Sequence, residues 1–544
     1  MLLLHPIRSR PHARWLGALL TPLAVAWLGA SLAAQQPATE DPARAFFAKS
    51  PVVAVRIELA QDQQQALRDK PREYAAARLL LDGVEFAKVG VKLKGAAGSF
   101  REFDDRPGFT VHLGKFGGTT RFHGLQRFHL NNGAQDDSRL SEWVGHEVFT
   151  AAGLPAPRVG HALVRVDDRD LGLYVLREAF DGRFLTRTVG HQRGNLYDGG
   201  FCQDVDAELE KDSGNGPDDR SDLRALCELC RGVDRDRAAA LAAAIDVEHC
   251  LDFLALEAML GHWDGYSLNA NNFRLWLPTG GGARFLPHGM DQLFGDAEAS
   301  ILAHPPAIVA SAVLQQPTFR KRYRDRLRAL LPLFAPARLR PRLDAIGATL
   351  QRALRPQHAE LADAQREALA DLMRRIEARY QSLVDQVKAP EPKPLVLAVG
   401  KPLPLKTWHP AAETDHLDLG KKDFAGHKTL FVHCQQRGEE PRHGRFHTRV
   451  LLGPGRYQLR GTARCEKVAP PPDDAEGQAH SGVTLRADGA VSARLVGDAA
   501  WQPLVAEFEV GDFQRDVELA CDVQAFVGRA WFRLDSLQLV RVAN

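Results

Sequence analysis

The sequence predicts an α+β protein in which a mixed core is closed by a helical extension and followed by an all-β sandwich. Three observations carry this. Between residues 81 and 130, apolar and polar residues alternate in short runs broken by glycine turns, the pattern of half-buried strands. Residues 318–388 are strongly helical and arginine-rich. Residues 401–544 return to short strands with glycine turns, the spacing of a β-sandwich. The chain has 544 residues. One hydrophobic core rarely serves more than about 250–300 residues, so several domains are needed. Hydrophobic residues make up 44% and charged residues 25%, which excludes disordered, collagenous and polytopic membrane proteins. A formal net charge of +2 gives no global field toward nucleic acid or anionic lipid, so no nucleic-acid partner is predicted.

The elements follow in order. Arg8, Arg10 and Arg14 precede an uncharged apolar run, residues 15–32, which ends in small residues at 31–34. This reads as a signal peptide over 1–34, leaving no membrane span after cleavage and an exported location, periplasmic, cell-surface or extracellular. Residues 51–60 alternate as a strand, and 61–80 look helical. Strands are predicted at 85–94, 109–113 and 127–130, with a small-residue turn at 95–99. Ser138 can cap a helix over 139–152, stopped by Gly153 and Pro155. Two more strands are predicted at 159–166 and 171–178, and helices from about 218 to 262. Then come an asparagine-rich loop, strands at 273–277 and 284–287 around a glycine turn, and Gly289-Met290-Asp291. The domain limits read as a core over 45–300, a helical extension over 301–388, a Pro/charged linker over 389–400 and a sandwich over 401–544.

Export permits disulfides, and Cys202, Cys227, Cys230 and Cys250 form a middle set in which one or two are expected. Cys227 and Cys230 form a CxxC, but no second pair at zinc spacing accompanies it. There is no Gly-x-Ser-x-Gly elbow and no His-Glu-x-x-His helix, which argues against a secreted hydrolase.

The stretch His262-Trp263-Asp264-Gly265-Tyr266-Ser267-Leu268-Asn269-Ala270-Asn271-Asn272 carries the chemistry. An aspartate followed five residues later by an asparagine offers an acceptor for a hydroxyl proton and an oxygen for a hard cation, the logic of a kinase catalytic loop. A hairpin that folds back and delivers Asp291 would supply the second carboxylate. Asp264, Asn269, Asp291, with Asn271 or Asn272, suit Mg²⁺ better than zinc or copper. Upstream, Gly95 and Ser99 belong to a turn whose N–H groups can approach a polyphosphate. Lys94 and Arg106 are the candidate phosphate cations, ahead of Lys92. Glu178 is the candidate acidic partner, with Glu147 as the alternative.

These motifs, taken in order, resemble the spore-coat CotH kinase family. The likeness runs from about residue 89 to 295. It includes Val91-Lys92-Leu93-Lys94-Gly95, Leu130-Asn131-Asn132, the 151–158 stretch AAGLPAPR, Gly172-Leu173-Tyr174 with Glu178, Gly194-Asn195-Leu196-Tyr197, and the two aspartate motifs. The resemblance implies a bilobal protein-kinase-like core that binds ATP with Mg²⁺ (or Mn²⁺) and phosphorylates Ser/Thr hydroxyls of a protein substrate. It implies Asp264 and Asn269 as catalytic residues, and Asp291, Asn269 and Asn272 at the metal. Many members carry Lys-Pro-Ser-Phe-Lys where this chain has Arg106-Pro107-Gly108-Phe109-Thr110. That departure motivates the alternative reading, a catalytically inactive scaffold that binds cell-surface glycans or proteins. Trp408, Trp501 and Trp531 of the terminal module are the residues that can stack on a glycan.

Overall fold

A computed structural model describes residues 41–117, 121–232, 237–412, 414–435, 440–471, 481–511 and 514–543. The expected signal peptide, 1–34, lies outside the described residues. The chain forms two units, 1–42 and 43–544; the following concerns the second.

Helix α1 (Pro42–Ala48) leads into β1 (Val52–Glu58), α2 (Gln61–Asp69), β2 (Ala75–Leu81), β3 (Val84–Lys94), β4 (Gly108–His112) and β5 (Arg127–Asn131). After α3 (Ser141–Ala151) come β6 (Val159–Val166) and β7 (Arg169–Glu178). The seven strands close into a barrel in the order β1-β2-β3-β4-β5-β7-β6, sealed by parallel pairing of β1 with β6. Closure leaves no edge strand to guard. Val55, Leu79, Val91, Leu93, Phe109, Leu130, Tyr174 and Leu176 fill its interior. Residues 75–80, expected as helix, belong to strand β2. Their Ala/Leu run favours helix locally, but pairing with β1 and β3 on either side overrides it. Helix α3 begins at Ser141, two residues later than expected. Asp136 holds its start by accepting from Ser141 N, while Ser138 Oγ accepts from Leu140 N.

Beyond α4 (Gly182–Val189), strands β8 (Gly194–Asp198) and β9 (Glu210–Gly214) belong to a second sheet. Helices α5 (Ser221–Arg231), α6 (Ala238–Ala244), α7 (Val247–Leu260) and α8 (Tyr266–Asn269) follow. Strands β10 (Phe273–Pro278) and β11 (Arg284–Pro287) complete the sheet in the order β11-β10-β8-β9. Helices α9 (Ile308–Leu314), α10 (Pro317–Leu330), α11 (Pro336–Leu354) and α12 (Ala359–Gln386) share one hydrophobic core with α3 and α7. Arg379 of α12 ties this core to the site. It is fully buried, and its guanidinium donates to Met259 O at 3.0 Å and Ala258 O at 2.6 Å at the end of α7, the second of which also accepts from Gly261 N. It also donates to Ala297 O and Ala299 O. A cation there satisfies orphan acceptors and the helix dipole together. Among the described residues no helix is long and apolar enough to cross a membrane.

The terminal module is a sandwich. One sheet contains β12 (Pro402–Pro404), β14 (Leu417–Phe424), β15 (His427–Cys434), β17 (Gly455–Ala469), β20 (Gly497–Val510), β22 (Val527–Arg533) and β23 (Gln538–Val542). The other contains β13 (His409–Ala412), β16 (Arg442–Leu452), β18 (Gly482–Ala487), β19 (Ala490–Val491) and β21 (Arg515–Ala525). Leu430, Phe446, Leu459, Leu485, Leu519 and Phe532 meet between them. Trp408 and Trp531 are buried, so only Trp501 of the three tryptophans has an accessible face. All seven cysteines are free thiols, against the expected disulfides. Cys227, Cys230 and Cys250 instead serve as small apolar groups in the core.

Candidate functional site

The site is built on the outer face of the barrel. Along β7, Tyr174 and Leu176 point into the barrel while Leu173 and Val175 pack on the helical core. Strand alternation therefore turns Arg177 outward. The same alternation turns out Lys94 at the end of β3 and Asn131 on β5. These three, with Glu142 from the first turn of α3, line one wall of a cavity of about 330 Å³. Asp264, Asn271, Asn272, His288, Gly289 and Asp291 line the rest.

The wall is a connected charge network. Lys94 Nζ donates to Asn131 Oδ1, and Asn131 Nδ2 donates to Glu142 Oε2 at 2.7 Å. Arg177 Nη1 stands 3.3 Å from Glu142 Oε1, and its Nη2 donates to His288 Nε2 at 3.2 Å. Burial alone would push the Glu142 carboxyl up, but Arg177, His146 and Lys94 outweigh it and hold it at about 2. Burial, aided by Arg177, brings the Lys94 ammonium down to about 8.

A turn over 95–99 forms the roof. Gly95 adopts φ +114°, and a Cβ there would meet the backbone of Phe100 at 2.9 Å, so no side chain fits. Ser99 Oγ accepts from Ala96 N at 3.2 Å. Arg72 donates to Gly95 O, and Asn132 Nδ2 donates to Ser99 O at 3.0 Å, which pins the turn over the cavity.

The floor is the asparagine-rich loop. Asp264 accepts from Asn269 Nδ2 at 2.7 Å, from Asn271 Nδ2 at 3.1 Å and from Asn272 Nδ2 at 2.8 Å. Three amides thus fix the direction of one carboxylate. Glu257 of α7 accepts from Tyr266 N and Ser267 N and anchors the start of α8. Burial raises its carboxyl to about 7. His262, buried and lowered to about 4 by desolvation, is neutral and bonds His288 O at 3.1 Å. This bond couples the loop to the segment carrying Asp291. Gly289, at φ +56°, lies against Asn272, and a Cβ there would sit 2.1 Å from Asn272 Oδ1. Gly145 of α3 likewise makes room for Met290.

Among the described residues, no side chain hydrogen-bonds to Asp291 or forms an ion pair with it. Burial, then the nearby Glu142 charge, raises its carboxyl to about 7. A half-buried carboxylate whose one donor is its own backbone N–H favours a cation. No group of three or more His, Cys, Asp or Glu side chains suited to a metal occurs among the described residues. A hard divalent ion held by Asp291 would therefore draw its other ligands from asparagine oxygen, phosphate and water, as Mg²⁺ and Mn²⁺ do.

Of the residues named from sequence, Lys94, Gly95, Ser99, Asp264, Asn272 and Asp291 meet at this cavity. Three do not line it. Arg106 donates to Leu171 O at 2.9 Å and Leu173 O at 2.5 Å and lies over the Tyr174 ring, so its guanidinium is spent inside the fold. Glu178 follows Arg177 by one residue and so faces the opposite side of β7. It pairs with Arg187 at 2.6 Å and accepts from Arg158 N. Asn269 reaches Asp264 from a neighbouring cleft. Glu147, the alternative acid, pairs with Arg338 and Arg342. Sequence reasoning missed Glu142 and Arg177, and read Asn131 as part of a turn and helix cap rather than of the site. Arg177 had a signal, a single cation closing the apolar run 173–176. Glu142 had one too, an acid in a helix first turn four residues before His146.

Similar solved structures include TmCBM61 in complex with β-1,4-galactotriose, at 13% identity and TM-score 0.18, covering 25% of this chain and 88% of that one. The enzymatically active domain of bacteriophage CBA120 tailspike protein 4 gives 12% and 0.17, covering 25% and 19%. The Clostridium thermocellum xylanase 10B CBM22-1–GH10 modules, complexed with xylohexaose, give 10% and 0.17, covering 25% and 26%. At TM-scores this low the likenesses bear on neither fold nor activity. No curated protein gives a significant match. A family model described as CotH kinase protein matches residues 91–388, more than half of the chain and the whole of the cavity's lining, from Lys94 to Asp291. The chain therefore belongs to the CotH kinase protein family.

Proposed function

We propose that the protein is an exported phosphotransferase that moves the γ-phosphoryl group of ATP to Ser or Thr hydroxyls of a protein substrate. One observation carries the reading: two loop carboxylates, one held by three side-chain amides and one with no side-chain donor among the described residues, face a half-buried lysine and a buried arginine across one small cavity. Phosphoryl transfer asks a protein for position and charge rather than covalent chemistry. Asp264, fixed in direction, orients the acceptor hydroxyl and takes its proton as the hydroxyl attacks phosphorus. Asp291 and Asn272 are the residues that would hold Mg²⁺ or Mn²⁺. When bound, that ion would neutralise phosphate oxygens. Lys94, kept in place by Asn131 and Glu142, supplies a point charge to the phosphates. Arg177 adds a second positive charge behind it, and the turn at Gly95 and Ser99 offers backbone N–H groups.

The test is Mg²⁺-dependent ATP binding by calorimetry, with phosphoryl transfer to a general protein substrate, on wild type and Asp291→Ala. The expected result is both activities in wild type and neither in the variant. ATP binding that ignores Mg²⁺ and survives the substitution would refute the assignment. It would leave the inactive scaffold, for which the accessible face of Trp501 is the glycan-stacking surface to examine.

A further inference from the structure

A second opening adjoins the catalytic loop. It is a cleft of about 580 Å³ between that loop and the five-stranded sheet of the sandwich. Trp263, Leu268 and Asn269 form one side, and strands β16, β18 and β21 form the other. The sandwich is tethered here: His304 N donates to Asp516 Oδ2 at 2.8 Å, and the Gln514 amide meets His304 Nε2 at 2.8 Å. Asn269 links the cleft to the chemistry, because its amide also holds Asp264 Oδ1.

Two features say what the cleft would take. First, Trp263 and Leu268 are 52% and 44% exposed, although they flank the catalytic aspartate. Behind them lies a recess of about 250 Å³ whose walls include Leu254, Ile301, Pro305 and Tyr323. An exposed aromatic beside an apolar recess is an anchor site. Second, the sheet wall is rich in guanidinium. Arg445 and Arg449 converge on the single carboxylate of Glu518, at 3.1 and 3.2 Å, and the Arg449 side chain is 67% exposed. Arg515, which pairs with Asp488, stands on the same wall. Of the four arginines lining the cleft, Arg486 pairs with the buried Asp522 and Arg515 with Asp488, whereas Arg445 and Arg449 share one carboxylate, so the Arg445–Arg449 pair is the charge that an incoming carboxylate meets.

We propose that this cleft docks the acceptor polypeptide, an acidic segment with a bulky apolar side chain near its hydroxyl, and that the sandwich supplies one wall of the acceptor site. The acceptor role rests on the phosphotransferase reading; the docking chemistry does not.

The probe is a fluorescent dodecapeptide of Asp, Glu and Ser with one Leu, titrated against the full chain by anisotropy without nucleotide, then offered as substrate with MgATP. Two peptide controls replace the acids by Lys or the Leu by Ala. Arg449→Glu is the protein variant, since an exposed side chain can be reversed without opening the core. The expected result is saturable binding that weakens about fivefold or more in Arg449→Glu and in each control peptide. KM for the peptide should rise in the variant while MgATP affinity stays level. Equal binding of the Lys peptide, indifference to Arg449→Glu, or binding of a sulfated glycan but not of the peptide would overturn the proposal. Charge-dependent docking with no phosphate transfer would refute the phosphotransferase reading and keep the docking surface. Transfer to the peptide that is unaltered in Arg449→Glu would refute the docking surface alone.

Discussion

Replacing Asp291 by asparagine should stabilise the nucleotide-free protein at pH 8 while abolishing its response to MgATP. The carboxyl is raised to about 7 in the folded chain, against about 3.9 unfolded. Between these values the folded state binds more protons than the unfolded state. Stability therefore falls as pH rises through this window, and the full penalty is present above pH 7. Three pKa units correspond to about 4 kcal/mol. The amide carries a burial cost of its own, so a gain of about 2–4 kcal/mol is expected at pH 8, shrinking toward zero at pH 4. The assay is thermal unfolding of both proteins at pH 4, 6 and 8, with and without MgATP. Wild type should gain stability from MgATP at pH 8 and the variant should not. A variant that is less stable at pH 8, or whose difference from wild type does not depend on pH, would refute the claim that Asp291 is a desolvated carboxylate awaiting a cation.

Glu142→Gln breaks the pair with Arg177 and leaves a buried cation, which should cost about 3–5 kcal/mol and weaken ATP binding; chemical denaturation and calorimetry read both. Because Glu142 is held at about 2 in the folded chain, against about 4.3 unfolded, its contribution is present above pH 4 and lost as pH falls toward 2. Urea midpoints across that range should thus converge for the two proteins. Gly289→Ala must place a Cβ 2.1 Å from Asn272 Oδ1 at positive φ. Phosphoryl transfer should fall at least tenfold as Asn272 loses its grip on Asp264, with circular dichroism unchanged. Arg379→Met removes the buried donor of Met259 O and the second donor of Ala258 O and should cost about 3 kcal/mol, measured by urea unfolding.

Much of the fold was legible because its signals are local. Alternation placed β6, β7, β10 and β11 within a few residues, and the glycine turn at 280–282 placed the hairpin that presents Asp291. Residues 75–80 were misread because an Ala/Leu run carries no mark of its barrel partners. The meeting of the two aspartates at one cavity was legible because the hairpin between them folds back over the loop. The cation and its acid were not. Arg177 and Glu178 are neighbours in sequence, yet one faces the cavity and the other does not, and only the closed barrel decides which. Arg106 looked available because the sequence does not reveal that Leu171 O and Leu173 O await it. Cys227, Cys230 and Cys250 form no disulfide in the structure, and each packs in the helical core.

Mn²⁺ offers the most direct test of the central claim that Asp264 and Asp291 serve one cation-bound nucleotide. Crystals grown with Mn²⁺ and a non-hydrolysable ATP analogue should give one anomalous peak at coordination distance, about 2.0–2.2 Å, from the Asp291 carboxylate, with phosphates beside Lys94. A peak elsewhere on the chain, or nucleotide bound outside the cavity roofed by Gly95 and Ser99, would contradict it.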